Sequence, residues 1–197
     1  MAITRARTSS VAQGPSTRKT VLGGNDVILG GSYDAIATAN GTGSSGVITF
    51  SSIPSTYKHL QIRWTNKSTA NGSYLWLNFN GDTGANYANH YLLGDGATTP
   101  SAGGEIDQVR LNLYGALITS TAASVYAVQI VDILDYANTS KNKTVRAVGG
   151  QDSNGSGVIM LSSGLWRNSS TAINSITITA NAASFTTASQ FDLYGIK

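Results

Sequence analysis

The side chains that could carry catalysis are few, and their spacing matches no familiar catalytic arrangement. The chain has two histidines, His59 and His90, and no cysteine. Neither histidine stands in a His-x-His or His-Glu-x-x-His pattern, and the chain contains neither a Gly-x-Ser-x-Gly elbow nor a phosphate-binding Gly-Lys-Ser/Thr loop. We therefore expect no zinc site, no serine-hydrolase site and no nucleotide site, and we predict no metal and no cofactor.

Carboxylates are the remaining candidates for acid–base chemistry. Glycoside hydrolysis requires two opposed carboxylates, and β-sandwiches can carry such a pair. The candidates are Asp132 and Asp135 in one apolar segment, with Glu105 and Asp107 upstream. Because the chain contains a single glutamate, we predict no catalytic residues, and a polysaccharide-degrading enzyme is the least favoured alternative.

Aromatic side chains point to adhesion rather than catalysis. Tyr74 and Trp76 share the outward face of one predicted strand, and Tyr194 is placed on a similar face of another. Rows of exposed aromatic rings bind sugars or pack at subunit interfaces, because each ring buries a large area. We favour interface packing for these three residues and keep glycan binding as the alternative.

The composition predicts that strands position these residues. Ser, Thr, Asn and Gly make up about two fifths of the chain, and charged residues only 12%. Long exposed helices and coiled coils need far more charged and helix-favouring side chains, so both are excluded. A hydrophobic fraction of 41% argues against disorder throughout. No apolar run approaches the roughly 18 residues of a membrane span, and no secretory signal is visible, so we expect no membrane partner and no secretion.

Alternating apolar and polar residues predict short strands from residue 31 onward. In residues 57–65, Leu60, Ile62 and Trp64 fall on one face, and residues 73–80 alternate in the same way. Residues 124–136 form the longest apolar run and are predicted as a central strand, whereas residues 96–104 are predicted as a loop. Nine or ten strands without an amphipathic helix predict an all-β antiparallel β-sandwich, with a jelly roll as the favoured connectivity.

Positive charge is concentrated near the N-terminus. The net charge is +3, yet residues 1–20 hold Arg5, Arg7, Arg18 and Lys19 and no acid, so the rest of the chain is close to neutral. We predict an extended basic arm over residues 1–30 and a sandwich domain over residues 31–197. The four basic residues are expected to dock the arm on a larger partner, with a solvated tail as the alternative. Nucleic acid is not expected as that partner, because no aromatic residues are interleaved with these charges.

Several segments match a recognisable pattern of turns and strands. They are GSYDAIAT (31–38), ITFSSIPSTYKHLQIR (48–63), LNFNGD (77–82) continuing to Asn86 and Tyr87, GLWR (164–167), INSI (173–176) and FDLYGI (191–196). Together they resemble the small β-sandwich virion structural and tail-fibre-like proteins of tailed bacteriophages of the cyanophage type.

This resemblance implies a β-sandwich that assembles as a homotrimer on the virion and is made in the bacterial cytoplasm. It brings no catalytic residues with it. The implied role is a short tail fibre or baseplate-attached protein, anchored to other virion proteins by its arm and in contact with the host surface, including its glycans. Two alternatives stay open: a capsid cement or decoration protein whose arm lies on the major capsid protein, and a stand-alone carbohydrate-binding module.

Overall fold

The computed structural model describes residues 17–22, 25–30, 32–70, 73–118 and 124–197. These residues form fourteen β-strands and no helix. The strands are β1 (Thr17–Leu22), β2 (Asn25–Gly30), β3 (Tyr33–Asn40), β4 (Val47–Phe50), β5 (His59–Asn66), β6 (Ser73–Phe79), β7 (Tyr87–Gly94), β8 (Ser101–Gln108), β9 (Leu111–Ile118), β10 (Ala127–Leu134), β11 (Lys143–Asp152), β12 (Gly157–Trp166), β13 (Ile176–Ala180) and β14 (Gln190–Ile196).

Two antiparallel sheets build the sandwich. The larger has eight strands in the order β3-β14-β5-β10-β11-β12-β7-β8, and the smaller has four in the order β4-β13-β6-β9. Strand β9 of the smaller sheet packs against β7, β10, β11 and β12 of the larger one. The prediction of an all-β antiparallel β-sandwich is therefore confirmed, whereas the jelly-roll connectivity stays a prediction.

One predicted strand is confirmed, and one predicted loop is wrong in part. The predicted central strand is confirmed, because β10 lies between β5 and β11 in the middle of the larger sheet. The predicted loop over residues 96–104 is wrong in its second half, where β8 begins at Ser101. Residues Ser101 to Gly104 are small and carry no hydrophobic alternation, so only their pairing with β7 makes them a strand.

The extended N-terminal arm is not confirmed. Its residues 17–22 and 25–30 pair with each other as the antiparallel strands β1 and β2, in a two-stranded sheet of their own. Residues 1–16 lie outside the described part of the chain. The division into an arm and a domain at residue 30 stays a prediction.

The core lies between the two sheets and follows the predicted alternation. Leu60, Ile62 and Trp64 of β5 are buried, as are Leu75, Leu77 and Phe79 of β6 on the facing sheet. The Trp64 and Phe191 rings are 5.7 Å apart between centroids, and Phe185 meets Phe191 edge-on at 4.8 Å. Tilted and edge-on contacts of this kind suit the charge distribution of aromatic rings, so they stabilise the core beyond the burial of the rings.

A second aromatic cluster links the two sheets where β6 turns into β7. Phe79, at the end of β6, lies 5.6 Å from the Trp166 ring at the end of β12, and Tyr87 packs beside both. The Tyr87 hydroxyl donates to the backbone carbonyl of Asp82 and accepts from the backbone N–H of Phe79. Asn80 and Gly81 make the turn with positive φ values of 53° and 67°, which Asn and Gly tolerate best.

Asp82 anchors this junction through its carboxylate. It accepts hydrogen bonds from Trp166 Nε1 at 2.7 Å, from the backbone N–H of Gly84 at 2.8 Å and from Asn86 Nδ2 at 2.9 Å. Burial by itself raises the pKa of the Asp82 carboxyl, but the hydrogen bonds from Trp166, Asn86 and Gly84 together outweigh it, and the pKa is lowered. The charged form of Asp82 therefore stabilises the folded protein.

Substituting Asp82→Asn should lower the free energy of unfolding at neutral pH by about 1–3 kcal/mol, the usual value of hydrogen bonds to a charged group. A carboxyl whose pKa is lowered in the folded state contributes stability above its unfolded pKa, and this stability is lost as the pH falls through the folded pKa. Urea unfolding between neutral pH and pH 3 should therefore show the wild type converging on the variant in acid.

The matched control is Asp152→Asn, in an exposed turn where one carboxylate oxygen accepts from the backbone N–H of Asn154. An amide oxygen can keep that bond, so this control should show almost no loss of stability. If the free energies of unfolding of the wild type and Asp82→Asn differ by the same amount at every pH, the charge of Asp82 does not have the stabilising role given to it.

Candidate interaction surface

The outer face of the eight-stranded sheet is apolar near its centre. Alternation along β10 buries Val131 and Ile133 in the core and turns the intervening residues outward. Three of these are also apolar: Val128 is 52% exposed, Ile130 is 39% exposed and Leu134 is 38% exposed. Strand β10 therefore presents apolar side chains to the core on one face and to solvent on the other.

The strand register places outward apolar side chains of five strands side by side. Each is the direct cross-strand partner of the next, from β8 through β7, β12 and β11 to β10. Its large members are half-exposed. We call this row the apolar stripe, and it consists of Ala102, Leu92, Leu161, Val148 and Ile130.

A second row runs beside the apolar stripe, and in it glycines alternate with large apolar side chains. In strand order it consists of Gly94, Ile159, Gly150 and Val128, each paired with the next, and we call it the ridge row. Ile159 is 67% exposed. Because glycine has no side chain, the ridge row presents two ridges and two hollows.

Open grooves occupy both hollows. The groove at Gly150 has a volume of about 670 Å³, and Val128, Ile130 and Ile159 are among the residues that line it. The groove at Gly94 has a volume of about 410 Å³ and is lined almost wholly by apolar atoms, including those of Leu92 and Pro100. The outer face is therefore indented and apolar, a form that suits packing against another surface.

The row on the other side of the apolar stripe is polar. It runs through His90, Ser163, Arg146, Asp132 and Gln61, again in direct register. Arg146 Nη2 donates to Asp132 Oδ2 at 2.7 Å, and Gln61 Nε2 donates to Asp132 Oδ1 at 2.7 Å. We call it the polar row, and its hydrogen bonds join Gln61, Asp132 and Arg146.

The three aspartates considered for glycoside hydrolysis are held by cations, and Asp107 pairs with Arg167. Asp132 pairs with Arg146 as described, and Asp135 Oδ2 accepts from Lys141 Nζ at 3.0 Å. The hydrogen bond from Lys141 is the main cause that lowers the pKa of Asp135. A general acid needs a raised pKa, so Asp135 does not have the environment of one.

The predicted aromatic residues lie on opposite faces of the sandwich. Tyr74 and Trp76 are on β6 of the smaller sheet, half-buried on its outer face, whereas Tyr194 is on β14 of the larger sheet. The structure therefore brings Tyr74 and Trp76 together but not Tyr194. Instead, the Arg63 guanidinium lies 5.3 Å from the ring centroids of both Tyr194 and Tyr33, a cation–π contact at the end of the apolar stripe.

Trp76 has a cation of its own. The Arg110 guanidinium carbon lies 3.4 Å from the centroid of the Trp76 ring, so that the two planar groups stack. This contact covers one face of the Trp76 ring. The other tryptophans, Trp64 and Trp166, are buried.

Two of the four basic residues proposed for docking lie in the described part of the chain. Arg5 and Arg7 lie outside the described residues. Arg18 and Lys19 are on β1, paired in register with Leu29 and Ile28 of β2, and only their backbone is described. Their docking role stays a prediction.

The described part of the chain contains neither a metal-binding cluster nor a membrane-spanning helix. Among residues 17–22, 25–30, 32–70, 73–118 and 124–197, no three His, Asp or Glu side chains gather where they could hold a metal ion. The same residues include no helix of sufficient length and hydrophobicity to cross a membrane.

Comparison with known proteins adds no relative. The chain matches no protein-family model, and no curated protein and no solved structure is significantly similar to it. Its class is therefore defined by the fold alone: a two-sheet antiparallel β-sandwich with an apolar outer face.

The apolar stripe was not predicted from the sequence, although a signal for it exists. Residues 128–134 and 158–161 are nearly unbroken apolar runs, and in a strand such a run must place hydrophobic side chains on both faces. A run of this kind is usually buried on both sides. Only the sheet order shows that nothing in the described chain covers its outer side.

Removing the cation over Trp76 should expose that ring. In Arg110→Ala, quenching of tryptophan fluorescence by acrylamide should increase, because Trp76 is the one tryptophan that is not buried. The control Arg146→Ala removes an exposed arginine that touches no tryptophan and should leave the quenching unchanged. Equal quenching in wild type and Arg110→Ala would show that the stacked contact does not persist in solution.

Proposed function

We propose that the protein is a structural component of a tailed-phage virion, most simply a short tail-fibre or baseplate-attached protein. In this role the sandwich is an assembly module, and residues 1–30 attach it to other virion proteins. The observation that carries the proposal is the apolar outer face, because exposed apolar patches of this kind mark surfaces that contact another macromolecule.

The segments that carry the resemblance support the same role. Residues 77–87 and 164–167 meet in the junction between the two sheets, where Asp82, Tyr87 and Trp166 bind one another. These segments therefore stabilise the fold of the module rather than forming a reaction centre. A low content of charged residues, 12% of the chain, also suits a protein that packs closely against neighbours, because charge is depleted at the centre of interfaces.

Two alternatives make different use of the same features. A capsid decoration protein would use the arm on the major capsid protein, and it is separated from a tail protein by position on the particle. A stand-alone carbohydrate-binding module would use the aromatic face at Trp76, but the stacked Arg110 leaves that ring a poor platform for a sugar.

Purified virions provide the direct test. The protein should co-purify with intact particles at a fixed copy number by quantitative mass spectrometry, and immunogold labelling should place it at the tail. Label on the capsid lattice would favour the decoration role, and absence from purified particles would contradict the proposal. Binding of the isolated protein to a glycan array without particle association would support the carbohydrate-binding module.

Charge removal tests the arm. The variants Arg5→Ala/Arg7→Ala and Arg18→Ala/Lys19→Ala should each reduce the number of copies per virion several-fold, because each removes two of the docking charges. The control Lys58→Ala/Lys141→Ala makes the same change in charge on exposed parts of the body and should leave the copy number unchanged. Equal losses in arm and body variants would argue against a specific docking role for the arm.

A further inference from the structure

We propose that two copies of the chain pair face to face through the outer surface of the eight-stranded sheet, stripe on stripe. This inference rests on the proposed role as an assembly module and names its first partner, a second copy of the same chain. Sheets that pack face to face keep their strands roughly aligned and interdigitate side chains over about 10 Å.

The exposed apolar area has the size that such a contact needs. The large side chains of the apolar stripe and the two ridges are each 39% to 67% exposed. Together they present on the order of 500 Å², near the upper end of the largest patch on a typical monomer. A standard interface buries about 800 Å² per partner, and the flanking polar row supplies the remainder as a rim.

The ridge row is self-complementary, which identifies the occupant as a second copy. Its order across the sheet is glycine on β7, ridge on β12, glycine on β11 and ridge on β10. A two-fold axis parallel to the strands, between β11 and β12, reverses this order in the facing copy. Each Ile159 then points into the partner's hollow at Gly150, and each Val128 into the partner's hollow at Gly94.

The same axis matches the other two rows. In the apolar stripe, Leu161 faces Val148 and Leu92 faces Ile130, while Ala102 at its end faces Arg63 of β5. In the polar row, His90 of one copy faces Asp132 of the other, and Ser163 faces Arg146. A histidine opposite a carboxylate is a favourable pairing at a rim, and no two like charges are opposed.

A contact with this symmetry closes after two copies, because both use the same surface patch. A trimer needs a different, head-to-tail surface. The homotrimer implied by the resemblance would therefore have to use residues outside this face.

Sedimentation equilibrium of the full chain gives the first test. The wild type should reach a dimer of 20.5 kDa subunits at micromolar concentration. Ile159→Asp should raise the dissociation constant at least 100-fold by placing a charge in the partner's hollow. Gly94→Leu should act similarly by filling a hollow. Within the monomer a Cβ at Gly94 has room, since it meets only Ile159 Cγ2 at 3.9 Å.

The control Val47→Asp introduces the same charge at a valine that is 48% exposed on β4 of the smaller sheet, and it should still form dimers. Circular dichroism shows whether each variant is folded. A wild type that stays monomeric, or an oligomer unaffected by both Ile159→Asp and Gly94→Leu, overturns the proposal. A protein that dimerises only after residues 1–16 are removed also overturns the proposal, because those residues would then occupy the apolar outer face in the full chain.

Cross-linking tests the register without disturbing the core. The chain has no cysteine, so introduced thiols are the only ones that react. In the paired geometry position 92 of one copy lies about 10 Å from position 130 of the other, whereas the two positions 92 are about 18 Å apart, given the usual strand and sheet spacings. A short thiol cross-linker should therefore join Leu92→Cys chains to Ile130→Cys chains and should not join Leu92→Cys chains to each other.

Equal yields of both products would overturn the proposed axis. The test is separate from that of the proposed function. A monomeric protein found on virions would remove the pairing and leave the virion role, whereas a dimer absent from virions would remove the role and leave the pairing.

Discussion

Side-chain alternation in β10, β11 and β12 is the constraint on which the rest of the structure depends. These strands are paired in unbroken antiparallel register, so the face of every residue is set by that of its neighbours. Burying Val131, Ile133 and Val145 beneath the smaller sheet forces Ile130 and Val148 outward. The apolar outer face is thus the consequence of the same register that forms the core, and a one-residue slip would exchange the two faces.

The junction at Asp82 shows how a short polar turn can hold two sheets in place. The carboxylate gathers donors from Trp166, Asn86 and Gly84, while the aromatic rings beside it exclude water from one side. This combination makes a charged group stabilising in a half-buried position, because the hydrogen bonds to the carboxylate outweigh the cost of its burial. The junction and the outer face have separate tasks: the first maintains the sandwich, and the second is free to contact a partner.

Much of the fold was predictable because period-two patterns are local. Leu60, Ile62 and Trp64 were assigned to one face by alternation alone, and all three are buried. The strand at Ser101 to Gly104 was missed because its residues are small and its structure comes from pairing with β7. Tyr74, Trp76 and Tyr194 were all expected on outward strand faces, and sheet order places Tyr194 on the opposite side of the molecule from the other two, because β14 belongs to the larger sheet and β6 to the smaller one.

The sequence by itself determined the class of structure: a chain rich in Ser, Thr, Asn and Gly, with short alternating apolar runs, folds as antiparallel strands and not as helices. It also determined which residues could enter the core, since these depend on neighbours two positions away. Only the tertiary structure decided that Leu92, Leu161, Val148 and Ile130 stand side by side, and that glycines and ridges alternate next to them. These neighbours lie on four different strands, and their alignment depends on long-range register, which no local pattern in the chain encodes.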